Sequence, residues 1–109
     1  MSKYGYKNNG ISLKSLKGSI QSMTDAGAVN TTDLITEVTT TGAVAITLAN
    51  GTEKGQLKII KMVSDGGDAT LTPVSFLDGS SLAFDVTDYA ILYWTGAAWA
   101  GISYNATLA

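Results

Sequence analysis

Residues 89–104 read YAILYWTGAAWAGISY, two six-residue apolar runs that meet tryptophan to tryptophan across Thr-Gly-Ala-Ala. Aromatic and β-branched residues flanking a short glycine-containing turn predict a β-hairpin. With the turn centred on Gly96 and Ala97, Trp94 stands opposite Trp99 and Leu92 opposite Gly101. The same register sets Ile91 against Ile102 and Tyr89 against Tyr104. Successive side chains of a strand point to opposite faces. One face then carries Tyr89, Ile91, Tyr93, Ala100, Ile102 and Tyr104, and the other carries Ala90, Leu92, Trp94, Trp99, Gly101 and Ser103. Neither suits water. One face is expected to lie on the domain's own core and the other on a neighbouring subunit or partner. Trp94 and Trp99 are the expected self-association contacts. A sugar-stacking platform is the alternative, but such platforms set hydrogen-bonding side chains beside the rings, and here the neighbours are Ala, Gly and Thr.

The hairpin ends a longer series of the same kind. From Leu34 onward, LITEVTT, GAVAITL, QLKIIKMV, ATLTPVSF and LAF are β-prone runs separated by ANGTEKG, SDGGD and LDGSS. Val44, Ile46 and Leu48 fall on one face of their strand, and Pro73 argues for a strand end or an edge. GAVAITL (42–48) and GDATLTP (67–73) hint at an internal repeat. Turns every dozen residues or fewer predict an all-β domain, a small antiparallel β-sandwich or barrel over residues 31–109.

Composition narrows the chemistry. The 109 residues fit one domain, 45% of them hydrophobic and 15% charged, with twelve glycines, no cysteine and no histidine; every one of the seven basic residues is lysine. Disulfides, imidazole–thiolate zinc sites, cysteine nucleophiles and histidine general bases are therefore excluded. Lacking arginine, the chain is not read as a nucleic-acid binder, and no apolar run reaches the length of a membrane span. Asp65 and Asp68 flank two glycines, and Asp85 and Asp88 frame another turn. Both pairs read as turn carboxylates rather than as a calcium loop or a glycosidase pair, so neither a metal, a cofactor nor an enzymatic activity is expected. Lys58 and Lys61 interrupt the alternation of QLKIIKMV and read as gatekeepers on an edge strand; pairing with carboxylates of a neighbouring subunit is the alternative.

Residues 1–30 differ in texture from the rest. Residues 1–24 hold Lys3, Lys7, Lys14 and Lys17 and no acid, whereas residues 25–109 carry three lysines against nine carboxylates. Such asymmetry suggests an arm that touches something other than solvent. Leu13, Leu16, Ile20 and Met23 fit one stripe of a short helix, although Gly18 weakens it, and an extended arm lying in a groove accounts for them equally well. DAGAVN (25–30) reads as a linker into the β body.

The run TTTGAVAITLANGTEKGQLKIIKMVSDGGDATLTP followed by YAILYWTGAAWAGIS resembles the small β modules of tailed-bacteriophage virion proteins, particularly those of marine phages and cyanophages. The likeness covers about residues 39–103 and rests on the order of the Thr-Gly-Ala strand, Asn-Gly-Thr, Gly-Gln-Leu-Lys-Ile-Ile, the Gly-Gly-Asp-Ala turn and the aromatic hairpin. It carries no catalytic motif. It implies a capsid decoration (cement) protein on the outer surface of the head, a homo-oligomer, with a trimer favoured, bound to the major capsid protein. The arm residues expected to touch the capsid are Tyr4, Tyr6, Lys7, Leu13, Lys14, Leu16 and Lys17. A carbohydrate-binding module of a head fibre or tail is the alternative the same resemblance allows.

Overall fold

The computed structural model describes residues 18–109, and within them the chain is all-β. Ten strands form two five-stranded sheets: β1 (Ile20–Thr24), β2 (Gly27–Val29), β3 (Ile35–Thr40), β4 (Val44–Leu48), β5 (Leu57–Asp65), β6 (Ala69–Pro73), β7 (Leu82–Phe84), β8 (Tyr89–Trp94), β9 (Trp99–Tyr104) and β10 (Thr107–Leu108). The first sheet has the order β1-β3-β5-β8-β9 and the second β10-β7-β6-β4-β2. Inward side chains of both sheets, among them Val38, Ile46, Leu48, Ile60, Met62 and Leu71, make one core. Burying such side chains is the main favourable term in folding.

Both sheets are mixed where antiparallel pairing was expected. Over its first six strands the chain steps from one sheet to the other at every strand. Each strand then lies parallel to the strand two places on: β1 on β3, β3 on β5, β2 on β4 and β4 on β6. The result is a short coil of three rungs. The hint of a repeat has its structural counterpart here, because Val44–Leu48 lies residue for residue on Ala69–Pro73. Each of these strands follows a glycine, and a Cβ at Gly67 would run into the Gly42–Ala43 backbone. Only glycine lets the two corners stack so closely. Pro73 ends β6, as a residue without a ladder donor should.

Beyond the third rung the pairing turns antiparallel. β8 returns along β5, β9 folds back on β8, and β7 and β10 extend the second sheet. Residues 75–77 run beside the start of β9, Trp99 N–H donating to Ser75 O at 3.0 Å and Leu77 N–H to Trp99 O at 2.8 Å. At the opposite end, among the described residues, β1 and β2 each pair on one side only.

Two expectations for residues 18–30 are corrected. Of the two readings of the stripe, helix or extended arm, the helical one fails at Ile20 and Met23, which lie on a strand in parallel register with β3. The proposed linker contains β2, whose Val29 is buried in the core. The physical reason is the offer of ladder partners: β3 and β4 each have an edge that the short first rung satisfies. Lys58 and Lys61 are also corrected. Their strand, β5, is the central strand of its sheet, so neither residue guards an edge.

Candidate functional site

Trp94 and Trp99 pair as the turn register requires, and so do Leu92 with Gly101. The turn holds through Thr95, whose N–H donates to Ala98 O at 2.9 Å, and through Gly96 at φ 101°. Farther along, a bulge beside Ile91 and Leu92 sets Ile91 against Ser103 and Ala90 against Tyr104, which corrects the Ile91–Ile102 and Tyr89–Tyr104 pairs. Gly101 makes room for the Tyr104 ring, whose hydroxyl donates to Asp78 Oδ2 at 2.9 Å.

Both indoles lie inside this chain's own core. Trp99 is 0% exposed and its Nε1–H donates to Ala49 O at 2.8 Å. The rings meet edge to face, with centroids 5.5 Å apart. Such an arrangement adds about 0.5–1.5 kcal/mol beyond the area buried. The assignment of self-association to Trp94 and Trp99 is thereby corrected: the hairpin residues that face outward are Tyr93 and Ile102. The same burial removes the indoles as an open stacking surface for sugars. The expected contacts Tyr4, Tyr6, Lys7, Leu13, Lys14, Leu16 and Lys17 lie outside the described residues.

The outer face of the first sheet carries what the hairpin only began to show. Ile20, Ile35, Ile59 and Ile91 are in register across four consecutive strands. Leu57 and Tyr93, paired across β5 and β8, flank this row on one side. A polar row of Ser22, Glu37, Lys61 and Tyr89 flanks it on the other. Lys61 is tethered there, donating to Thr87 O at 2.6 Å.

Three carboxylates meet at one corner. Asp65, Asp68 and Asp85 bring oxygens within 4.8 Å of one another, a convergence that two separate turn motifs do not reveal in sequence. Hydrogen bonding with Asp85 holds the Asp65 carboxyl above its ordinary value, and the same bond holds Asp85 below its own. The corner is also knitted internally: Asp65 Oδ1 accepts Gly67 N–H at 2.8 Å, and buried Thr40 donates to Gly67 O at 2.6 Å. These carboxylates have oxygen ligands of the type a hard cation takes.

A second polar cluster spans all three rungs and was not anticipated. Lys58 points into the core beside Ile60 and Met62 and is 1% exposed. Its Nζ donates to Asp33 O at 2.8 Å and to Asn30 Oδ1 at 3.3 Å. The Asn30 amide is fixed on every side. Oδ1 also accepts Asp33 N–H at 3.0 Å, Nδ2 donates to Asp33 Oδ2 at 2.8 Å, and the Asn30 N–H donates to Gln21 Oε1 at 2.9 Å. Thr36, itself buried, donates to the same Gln21 oxygen at 2.8 Å. Desolvation pushes the Lys58 amine down to about 8, partly opposed by the charge of Asp33. The Asn30 hydrogen bond holds the Asp33 carboxyl below its ordinary value.

Comparison with protein-family models and with curated proteins finds no match for this chain.

Proposed function

We propose that the chain is a structural protein of a phage virion, a capsid decoration protein that reinforces the head from its outer surface without catalysing a reaction. The observation that carries this reading is the isoleucine row on the outer face of the first sheet, flanked by Leu57 and Tyr93. Among the described residues Ile20, Leu57 and Tyr93 are exposed and Ile35, Ile59 and Ile91 half-buried. Monomers rarely expose so continuous an apolar strip, and repeated copies of this chain offer it a symmetric cover. The sequence resemblance supports the virion setting, and the lysine-rich segment before Gly18 supplies a clasp for acidic grooves of the major capsid protein. In this reading the subunits, trimers in the favoured case, meet through the isoleucine face and not through the tryptophans. Many modest contacts repeated over a shell give cooperative reinforcement.

Cosedimentation with undecorated capsids of the source virus tests it, using the full chain, a chain lacking residues 1–17, and Ile59→Lys. The truncation stops before Gly18 because β1 begins at Ile20. Saturable binding by the full chain, weakened by the truncation, supports the clasp. Ile59→Lys is expected to keep the fold and lose self-association, read by sedimentation velocity. A full chain that ignores capsids and stays monomeric overturns the reading.

A further inference from the structure

The Lys58–Asn30–Asp33 cluster holds all the parts of an amide exchange. A buried primary amine lies 3.3 Å from the oxygen of a side-chain amide. That oxygen also accepts the Asp33 N–H at 3.0 Å, a donor placed to stabilise negative charge on it. The departing nitrogen is in contact with a carboxylate, Nδ2 to Asp33 Oδ2 being 2.8 Å. Asn30 follows β2 and Lys58 begins the inward face of β5, so the fold itself brings the two together.

We propose that Lys58 and Asn30 join covalently after folding, through an isopeptide bond between Lys58 Nζ and Asn30 Cγ. The neutral amine attacks Cγ, the Nζ–Cγ bond forms, and the Cγ–Nδ2 bond breaks. One proton passes from Nζ to Nδ2 by way of the Asp33 carboxylate, and Nδ2 leaves as ammonia. No oxidant, metal or second substrate enters the balance. Three features favour the step. Burial raises the neutral fraction of the amine, as it does for nucleophilic lysines in apolar pockets. Gln21, Asp33 and the Asp33 carbonyl fix both reactants in place, and proximity of this kind replaces a bimolecular encounter. Asp33 reaches the leaving group directly. The product is a crosslink between the first turn of the coil and its third-rung strand, which closes the end of the domain that the hairpin does not reach. The inference is independent of the virion reading.

Intact-mass measurement of the purified full chain, followed by tryptic mapping, decides the matter. A linked chain weighs one ammonia less than its sequence. Trypsin then fails at Lys58 and yields one branched fragment, residues 18–54 joined through Asn30 to residues 55–61. Asn30→Ala is expected to show the unlinked mass and normal cleavage at Lys58. Asp33→Asn is expected to slow linkage by about 10²–10⁴-fold, the contribution of a positioned proton-transfer group, and so to leave most of the chain unlinked. A wild-type chain of full sequence mass that is cleaved at Lys58 overturns the proposal. So does ammonia loss without the branched fragment, since cyclisation at Asn50-Gly51 gives the same mass change. Equal linkage in the wild type and Asp33→Asn would overturn the role given to Asp33.

Discussion

In the β8–β9 hairpin a strand meets its partner across a four-residue turn, whereas Val44 meets Ala69 only after a full circuit through the other sheet. The antiparallel end of the molecule is held by its own turns and by two large rings. The parallel end has no such local tie. There the rungs are aligned by side chains that fit one above another, Ile46 on Leu71 and Val38 on Met62, and by polar groups that bridge them, Gln21, Asn30 and Lys58. Turns of short sequence separation are cheap to close, and long circuits depend on what they bury when they close.

Trp99→Ala is the largest test of this contrast. It removes the biggest fully buried side chain and the bond to Ala49 O, so a loss of about 3–5 kcal/mol is expected in denaturant unfolding. Ala49 follows β4, so the loss should be felt at both ends in a single transition. Two separate transitions would show that the ends are independent. Leu71→Ala cuts the middle of the coil and is expected to cost about 2–5 kcal/mol. Tryptophan fluorescence and amide exchange of β3–β6 should then shift together.

Gln21→Ala acts on the polar bridge alone. It leaves the Asn30 N–H and the Thr36 hydroxyl short of an acceptor, at a cost of about 1–3 kcal/mol. Faster amide exchange confined to β1 and β2, with β8 and β9 unchanged, is the expected pattern; uniform acceleration would erase the distinction between the two ends. Thr87→Gly should act in the opposite direction. Thr87 sits at φ 64°, where a β-branched residue is strained by about 1–3 kcal/mol, and the entropy of a new glycine offsets about 0.5–1 of that. A small rise in melting temperature is expected.

Asp65→Asn carries a pH signature instead of a large magnitude. The folded-state pKa of Asp65 is raised above its ordinary 3.8, so the stability it contributes is present below that value and is lost as pH rises through the folded pKa. The substitution should therefore raise the melting temperature at neutral pH, with a gain that vanishes once the wild-type carboxyl is protonated. An advantage that persists in acid would show that the hydrogen bonding between Asp65 and Asp85 is not the cause.

Strand positions were legible wherever a local pattern fixed them. LAF is β7, YAILYW is β8 and WAGISY is β9, each bounded by turn residues that serve both neighbours. Their register was legible only as far as the bulge at Ile91, because one extra residue in β9 changes every pairing beyond it. The candidate sites were less legible. Asp65 and Asp68 announce a turn, but nothing near them announces Asp85. Lys58 reads as an interruption in an apolar strand, and the interruption was the available signal: a charge at an inward position requires partners inside.

The sequence by itself determined that this chain is all-β, where its glycine turns fall, that its terminal hairpin is apolar on both faces, and which chemistries its residue types exclude. Those are properties of neighbours in the chain, set by steric preference and by alternation along a strand. Only the tertiary structure decided that the strands coil in parallel, that residues 20–29 belong to the sheets, that the tryptophans face inward while isoleucines line the outside, and that Lys58 meets Asn30. Each of those depends on residues distant in the chain, and is selected by the shape and polarity of the whole core, which no local stretch of sequence contains.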